Sequence, residues 1–196
     1  MSPDRYSAAS GTRLVLLAAT VLWALTLTAC GGNSGSGELQ PGYHSAYPAS
    51  GSRGASSGVA KYLTVRATSK SATLKLVAGA GGALGGFNFD GYGKGQLKVA
   101  VPKGWKVTVE CSNQASIPHS CAIVDGAQAT APAFPGAASP DPIHGLQPGS
   151  SNTFRFVAAK IGSYRIVCLV PGHEDAGMWD TFRIIASGSP SISAAA

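Results

Sequence analysis

The sequence is short of several things, and each shortage excludes a class of protein. Of 196 residues only 9 are Asp or Glu, against 15 Lys and Arg, and charged side chains make up 12% in all. The formal charge of +6 is thinly spread and comes without a nucleic-acid-binding motif, which excludes nucleic acid as the partner. A mild positive excess instead steers acidic partners or anionic surfaces. Methionine is limited to Met1 and Met178, so no methionine-rich surface exists. The four cysteines and four histidines form no Cys-x2–4-Cys or His-x3–5-His pair, the spacings of structural zinc sites. The Gly-rich stretch 79–86 is followed by no Lys-Ser/Thr and no helix start, so it does not read as a phosphate loop. No apolar run reaches the ~20 residues of a spanning helix.

What is present is glycine (26), proline (12) and many short runs of period two. These favour an all-β domain with long loops over a helical one. Alternation predicts eight strands: Lys61–Arg66, Thr73–Val77, Gln96–Val101, Trp105–Glu110, Ser120–Val124, Asn152–Ala158, Ser163–Cys168 and Trp179–Ile185. Turn residues separate them, which suggests a Greek-key β-sandwich spanning residues 59–187. The segment 125–151 is long, rich in Ala, Pro and Gly, and functional or mobile in character. His144 within it reads as an exposed loop histidine. The small polar residues 188–196 read as a fraying tail.

The N-terminus has a different character. Arg5 and Arg13 precede the apolar stretch 14–26, and Leu27-Thr28-Ala29-Cys30 follows. Basic region, short apolar region and small-residue processing site make an export signal over residues 1–29. The last four residues resemble a bacterial lipobox, in which Cys30 is lipidated and becomes the mature terminus. Residues 30–58 are Gly/Ser-rich, a flexible linker between the lipid and the domain, and His44 in this tract has no partner at ligand spacing. The domain is therefore expected on the extracytoplasmic face of a bacterial cell membrane, lipid-anchored. Of the remaining cysteines, Cys111 and Cys121 are expected to pair in that oxidising compartment, clamping the loop that presents His119.

The chain is organised around Cys168-Leu169-Val170-Pro171-Gly172-His173-Glu174-Asp175-Ala176-Gly177-Met178. It offers a thiolate, an imidazole and a thioether at Cys-x4-His-x4-Met spacing directly after a strand. With a second imidazole from upstream, which His119 can supply, this is the ligand set of a type 1 copper site. A strand delivers Cys168, and the loop must then curl back to bring His173 and Met178 to the same ion. Pro171-Gly172 supplies that turn.

Cys168-x4-His173-x4-Met178, Pro118-His119-Ser120, Phe87-Asn88-Phe89-Asp90-Gly91-Tyr92 and Val101-Pro102-Lys103-Gly104-Trp105 together resemble the sulfocyanin family of cupredoxins. The likeness covers roughly residues 60–186 and extends to rusticyanin. It implies a cupredoxin-like sandwich with one copper ion, cycling between Cu(II) and Cu(I), on His119, Cys168, His173 and Met178. It further implies that Ser120 donates to the Cys168 sulfur, and that electrons leave through His173 across an apolar patch of Leu169, Val170 and Pro171. Trp179 and Pro118 are expected to shield the site.

Function then reads as single-electron shuttling by a membrane-tethered monomer, not an enzyme, between redox proteins such as a terminal oxidase or a cytochrome. The alternative is an envelope copper-binding protein for delivery or storage, against which the scarcity of methionine counts. A binuclear copper centre needs a second thiolate in the 169–177 segment, which has none. A multicopper enzyme needs a histidine beside the ligand cysteine, and here the neighbours are Val167 and Leu169. A Cys/His nucleophile pair lacks an orienting third residue.

Overall fold

Alternating side chains turn one face of each strand toward a shared interior, and two sheets result. The computed structural model describes residues 58–195. The expectations for the export signal, Cys30, the linker and His44 lie outside these residues. The strands are β1 (Leu63–Arg66), β2 (Ser71–Ala78), β3 (Leu97–Pro102), β4 (Lys106–Asn113), β5 (Ala122–Val124), β6 (Ser151–Val157), β7 (Gly162–Val167), β8 (Trp179–Ile185) and β9 (Ser191–Ala194). One sheet has the order β1-β2-β4-β6 and the other β5-β7-β8-β3-β9. Each is mixed: β2 runs parallel to β4 and β3 parallel to β8, while their other pairings are antiparallel. The expected all-β sandwich therefore holds.

The core lies between the sheets. Leu74, Leu76, Val109 and Phe156 from the first sheet meet Val99, Ile166, Phe182 and Ile184 from the second. Each such buried side chain contributes roughly 1.5–3 kcal/mol relative to exposure. All nine strands and this core come from residues 58–195, so the segment encloses its own interior.

Two expectations are corrected here. Residues 188–196 do not simply fray, because Ser191–Ala194 pair with β3 from Leu97 to Ala100 and make a ninth strand. Ser-Ile-Ser-Ala does alternate, but over only four residues; backbone hydrogen bonds to the edge of β3 hold them, and Ile192 packs against the core. The first strand is also shorter than its pattern, since Ala60–Tyr62 form a single 3-10 turn.

The connections divide between two ends. Those from β1 to β2, β3 to β4 and β6 to β7 meet at one end, where main-chain bonds join them: Lys106 N–H to the Lys70 carbonyl (2.9 Å) and Gly104 N–H to that of Ala158 (2.8 Å). The connections from β2 to β3, β4 to β5 and β7 to β8 gather at the other end, where the 125–150 segment also finishes, while β8 to β9 turns at the first. The 125–150 segment runs along the free edge of β5, with Ala133 N–H donating to Ile123 and Ser139 N–H to Cys121. It sends Phe134 into the core, stacked on Phe156 at 5.7 Å. An edge strand is thereby covered.

Candidate metal centre

His119 is positioned by the backbone before its ring is considered. It forms an isolated antiparallel bridge with Leu146, accepting and donating at 2.7 and 3.1 Å. The buried Asn113 amide ties the same place, donating to the carbonyls of Ile117 (2.8 Å) and Leu146 (2.9 Å). Next to this bridge Gly145 sits at φ +76°, and a Cβ there would lie 2.9 Å from the His119 carbonyl carbon. Only glycine lets the 125–150 segment approach so closely. The disulfide Cys111–Cys121, with Cα atoms 6.1 Å apart, joins β4 to the residue before β5 and so ties the two sheets beside His119.

The other ligand candidates come from one loop. Cys168 follows the last residue of β7, and Pro171-Gly172 turns the chain with Gly172 at φ +82° and His173 N–H donating to the Val170 carbonyl (3.1 Å). Pro then Gly at the centre of such a turn is the type II pattern. Met178 closes the loop: its N–H donates to the His173 carbonyl (2.9 Å), and its carbonyl accepts from Cys168 N–H (3.2 Å). Met178 is fully buried.

Within this frame three donor atoms converge. Cys168 Sγ lies 3.3 Å from His173 Nδ1 and 3.8 Å from His119 Nδ1, and the two nitrogens are 3.1 Å apart. Cys168 and His119 are buried and His173 is half-buried. Burial pushes the His119 imidazole down to about 4, helped by the neighbouring His173, and lowers His173 as well. Burial raises the Cys168 thiol, against the opposing hydrogen bonds from the Ser120 and Val170 amides and the Ser120 hydroxyl. The rings therefore stay neutral with lone pairs free, as metal ligands must be. One thiol sulfur and two imidazole nitrogens, converging in a dry site with a buried thioether residue on the same loop, fit one copper ion.

The surroundings of the donors are specific. Ser120 N–H donates to Cys168 Sγ at 3.2 Å and its hydroxyl at 3.6 Å, while the hydroxyl oxygen accepts from Leu169 N–H at 2.8 Å. Phe87 packs edge-on against both rings, with centroids 4.9 Å from His173 and 6.2 Å from His119. The Phe-Asn-Phe segment explains itself locally. Asn88 donates to the Ala83 carbonyl and accepts from Gly91 N–H, and Phe89 anchors the segment in the core. Phe87 was legible only as part of the family motif, not as a neighbour of the ligands.

Other expected site residues sit differently. Leu169 is not surface: it is 8% exposed and packs with Ala122, Val124 and Val167 in a second apolar cluster. The loop passes through this cluster before emerging at Val170 (half-buried) and Pro171 (exposed). Trp179 does not shield the donors. Alternation along β8 buries Asp180, Phe182 and Ile184 inward and turns Trp179 to the outer face, under the Arg165 guanidinium at 3.9 Å. Arg165 also pairs with Glu174 of the ligand loop at 2.6 Å. Pro118 is half-buried, and His144 is exposed and paired with Asp141. Around the donor end Leu84, Ile117 and Ile143 stand exposed, an apolar surface that the strand pattern did not single out.

Residues 58–141 match the family described as the Sulfocyanin (SoxE) domain, a stretch that contains Phe87 and His119. The sulfocyanin of Sulfolobus acidocaldarius is 29% identical over 125 residues, which is 57% of this chain and 62% of that protein. The chain thus spans under two thirds of that relative's length. Among solved structures, a dithionite-reduced auracyanin of Roseiflexus castenholzii is 24% identical, with TM-score 0.42, covering 58% of this chain and 96% of its own. Auracyanin B is 20% identical, with TM-score 0.44, covering 63% and 94%. Over residues 58–141 this chain is similar to the sulfocyanins, and its converging His119, Cys168 and His173 donors fit a site for a single type 1 copper ion.

Proposed function

We propose that the protein is a single-electron carrier held at the outer face of a cell membrane by its N-terminus, exchanging electrons with respiratory redox proteins. The observation that carries this reading is the convergence of Cys168, His119 and His173, whose donor atoms lie within 4.8 Å of one another. A copper ion held there by these three residues and Met178 would supply the one-electron couple. The chain's own contribution is rigidity. His119 is fixed by Leu146 and Asn113, and the loop is closed by the Met178 main-chain bonds, so the donors are in place beforehand. Small rearrangement between oxidation states is what fast transfer needs.

His173 is the half-buried imidazole, and Val170, Pro171, Ile117 and Ile143 give the same end an apolar surface for a partner. A carrier rather than an enzyme is supported by the neighbours of Cys168. Val167 and Leu169 are buried aliphatic residues and offer no imidazole to a further metal. The membrane tether rests on residues 1–30, and the partner class on the family resemblance.

The test is the visible absorption of the copper-loaded chain beside Cys168→Ser. An intense thiolate-to-copper band, bleached by reductant and missing in the variant, is expected. A colourless protein that binds Cu(I) tightly would move copper delivery or storage to first place.

A further inference from the structure

The end of the sandwich opposite the metal centre has a composition of its own. Three turns meet there, Ala67–Lys70, Lys103–Trp105 and Ala158–Ile161, joined by the main-chain bonds between Lys106 and Lys70 and between Gly104 and Ala158. These turns and the strand residues beside them expose Arg66, Lys70, Lys103, Lys106 and Lys160. None of the three turns contains a carboxylate. In a domain with so few charges this is a concentration, and its position is fixed by the register Arg66–Ser71–Lys106–Val157 across the first sheet.

Large apolar side chains stand among these cations. Val65, Val157 and Ile161 are 41%, 48% and 52% exposed, although nothing in the domain covers them. Val157 is the cross-strand neighbour of Lys106, and Ile161 follows Lys160. Lysine and arginine interleaved with exposed aliphatic side chains, on three turns that hold no carboxylate and with Asp125 near Tyr164 as the nearby acid, match the interface of an anionic bilayer. There the cations meet headgroup charge and the apolar groups enter the acyl boundary. An acidic protein would satisfy the charges but gives no reason for three exposed aliphatics between them.

The geometry points to this end as a docking face for an anionic lipid surface. Docked so, the domain stands with its metal centre away from the bilayer. The contact is additional to any N-terminal anchor and is a property of residues 58–195 alone.

The test uses residues 58–196, which contain the two-sheet core of the described residues, and vesicles of phosphatidylcholine with or without phosphatidylglycerol, read by co-sedimentation. Binding is expected to the mixed vesicles, to be absent on phosphatidylcholine alone, and to fall with salt. One lysine near an anionic surface changes binding about fivefold. The double variant Lys103→Glu/Lys106→Glu should therefore lose at least tenfold, and Ile161→Ser should lose several-fold. Lys94→Glu/Lys98→Glu, on the segment that enters β3 from the metal end, should match the parent. No binding to mixed vesicles, or equal losses from both double variants, overturns the proposal. Retention on an immobilised polyanion that depends on Lys103 and Lys106, without vesicle binding, would reassign the face to an acidic macromolecule and also overturn it.

Discussion

Ser120 holds the sulfur of Cys168 twice, through its backbone N–H at 3.2 Å and its hydroxyl at 3.6 Å. The same oxygen accepts from Leu169 N–H, so one side chain fixes both the thiolate and the start of the ligand loop. Hydrogen bonds to a ligand sulfur draw off electron density and favour the reduced state. Ser120→Ala keeps the backbone bond and loses the other two. Its reduction potential should fall by tens of millivolts while the intense visible band stays. Unfolding stability should drop by about 1–3 kcal/mol, the cost of stranding the buried Leu169 N–H. A potentiometric titration with a denaturant melt measures both, and an unchanged potential would remove the hydroxyl from any role in tuning.

Phe87 touches both imidazoles edge-on, and such aromatic pairs are worth about 0.5–1.5 kcal/mol beyond area burial. Phe87→Leu keeps bulk but drops the ring contacts. Copper should still bind, yet be lost to a chelator up to about tenfold faster as the rings gain freedom. Stopped-flow loss of the visible band reports the rate. A rate equal to the parent's would make Phe87 a core residue only.

The loop residues Leu169 and Val170 should separate in their effects. Leu169→Ser places a hydroxyl in an apolar cluster and leaves a void, at a cost of about 2–4 kcal/mol. Val170→Ser alters half-exposed surface, so stability should change little while electron self-exchange slows. Equal melting curves for the two variants would contradict the burial described for Leu169.

Asp90 gives a pH dependence of definite sign. Its Oδ1 accepts from Val77 N–H, but Oδ2 is buried without a partner, and burial raises the carboxyl to about 7 despite that bond and the Lys61 charge. Asp180 is the facing carboxyl: it too is raised to about 7 by burial and then by the Asp90 charge, against the Leu97 N–H bond. A carboxyl with a folded value above its unfolded one holds its proton longer in the native state. Its stabilisation is complete below the unfolded value near 3.8 and is lost as pH rises toward 7. The unfolding free energy of the parent, from denaturant melts, should fall from pH 4 to pH 7 by an amount on the order of a few kcal/mol. Asp90→Asn should flatten that slope. A parent more stable at pH 7 than at pH 4 would contradict the assignment.

Much of this was legible in the sequence, because period two is a direct consequence of one buried face. β8 runs over the residues its pattern names, Trp179–Ile185, and the Cys-x4-His-x4-Met spacing places three site residues on one loop. What was not legible depends on three dimensions. β9 is held by another strand's backbone, and its Ser-Ile-Ser-Ala alternation is too short to stand out among small residues. Leu169 was expected at the surface because the family resemblance implies an apolar patch there, yet the loop runs inward for one residue first. Trp179 lies beside Met178 in sequence but on the opposite face, which the alternation of β8 does disclose once its register is known. The buried carboxyls Asp90 and Asp180 carry no signal, since nothing local marks an acid that the fold will enclose.

The bond between Cys111 and Cys121 bears on which sulfur stays free. Before it forms, the described residues carry three thiols that the folded core brings together: Cys121 follows Ser120, the residue whose N–H rests on the Cys168 sulfur. Tying two of them off leaves Cys168 as the single free thiol among the described residues. Pairing of Cys111 with Cys121 thus keeps Cys168 unpaired, and a chain that joined Cys168 to either neighbour would have no Cys168 thiolate to offer a metal.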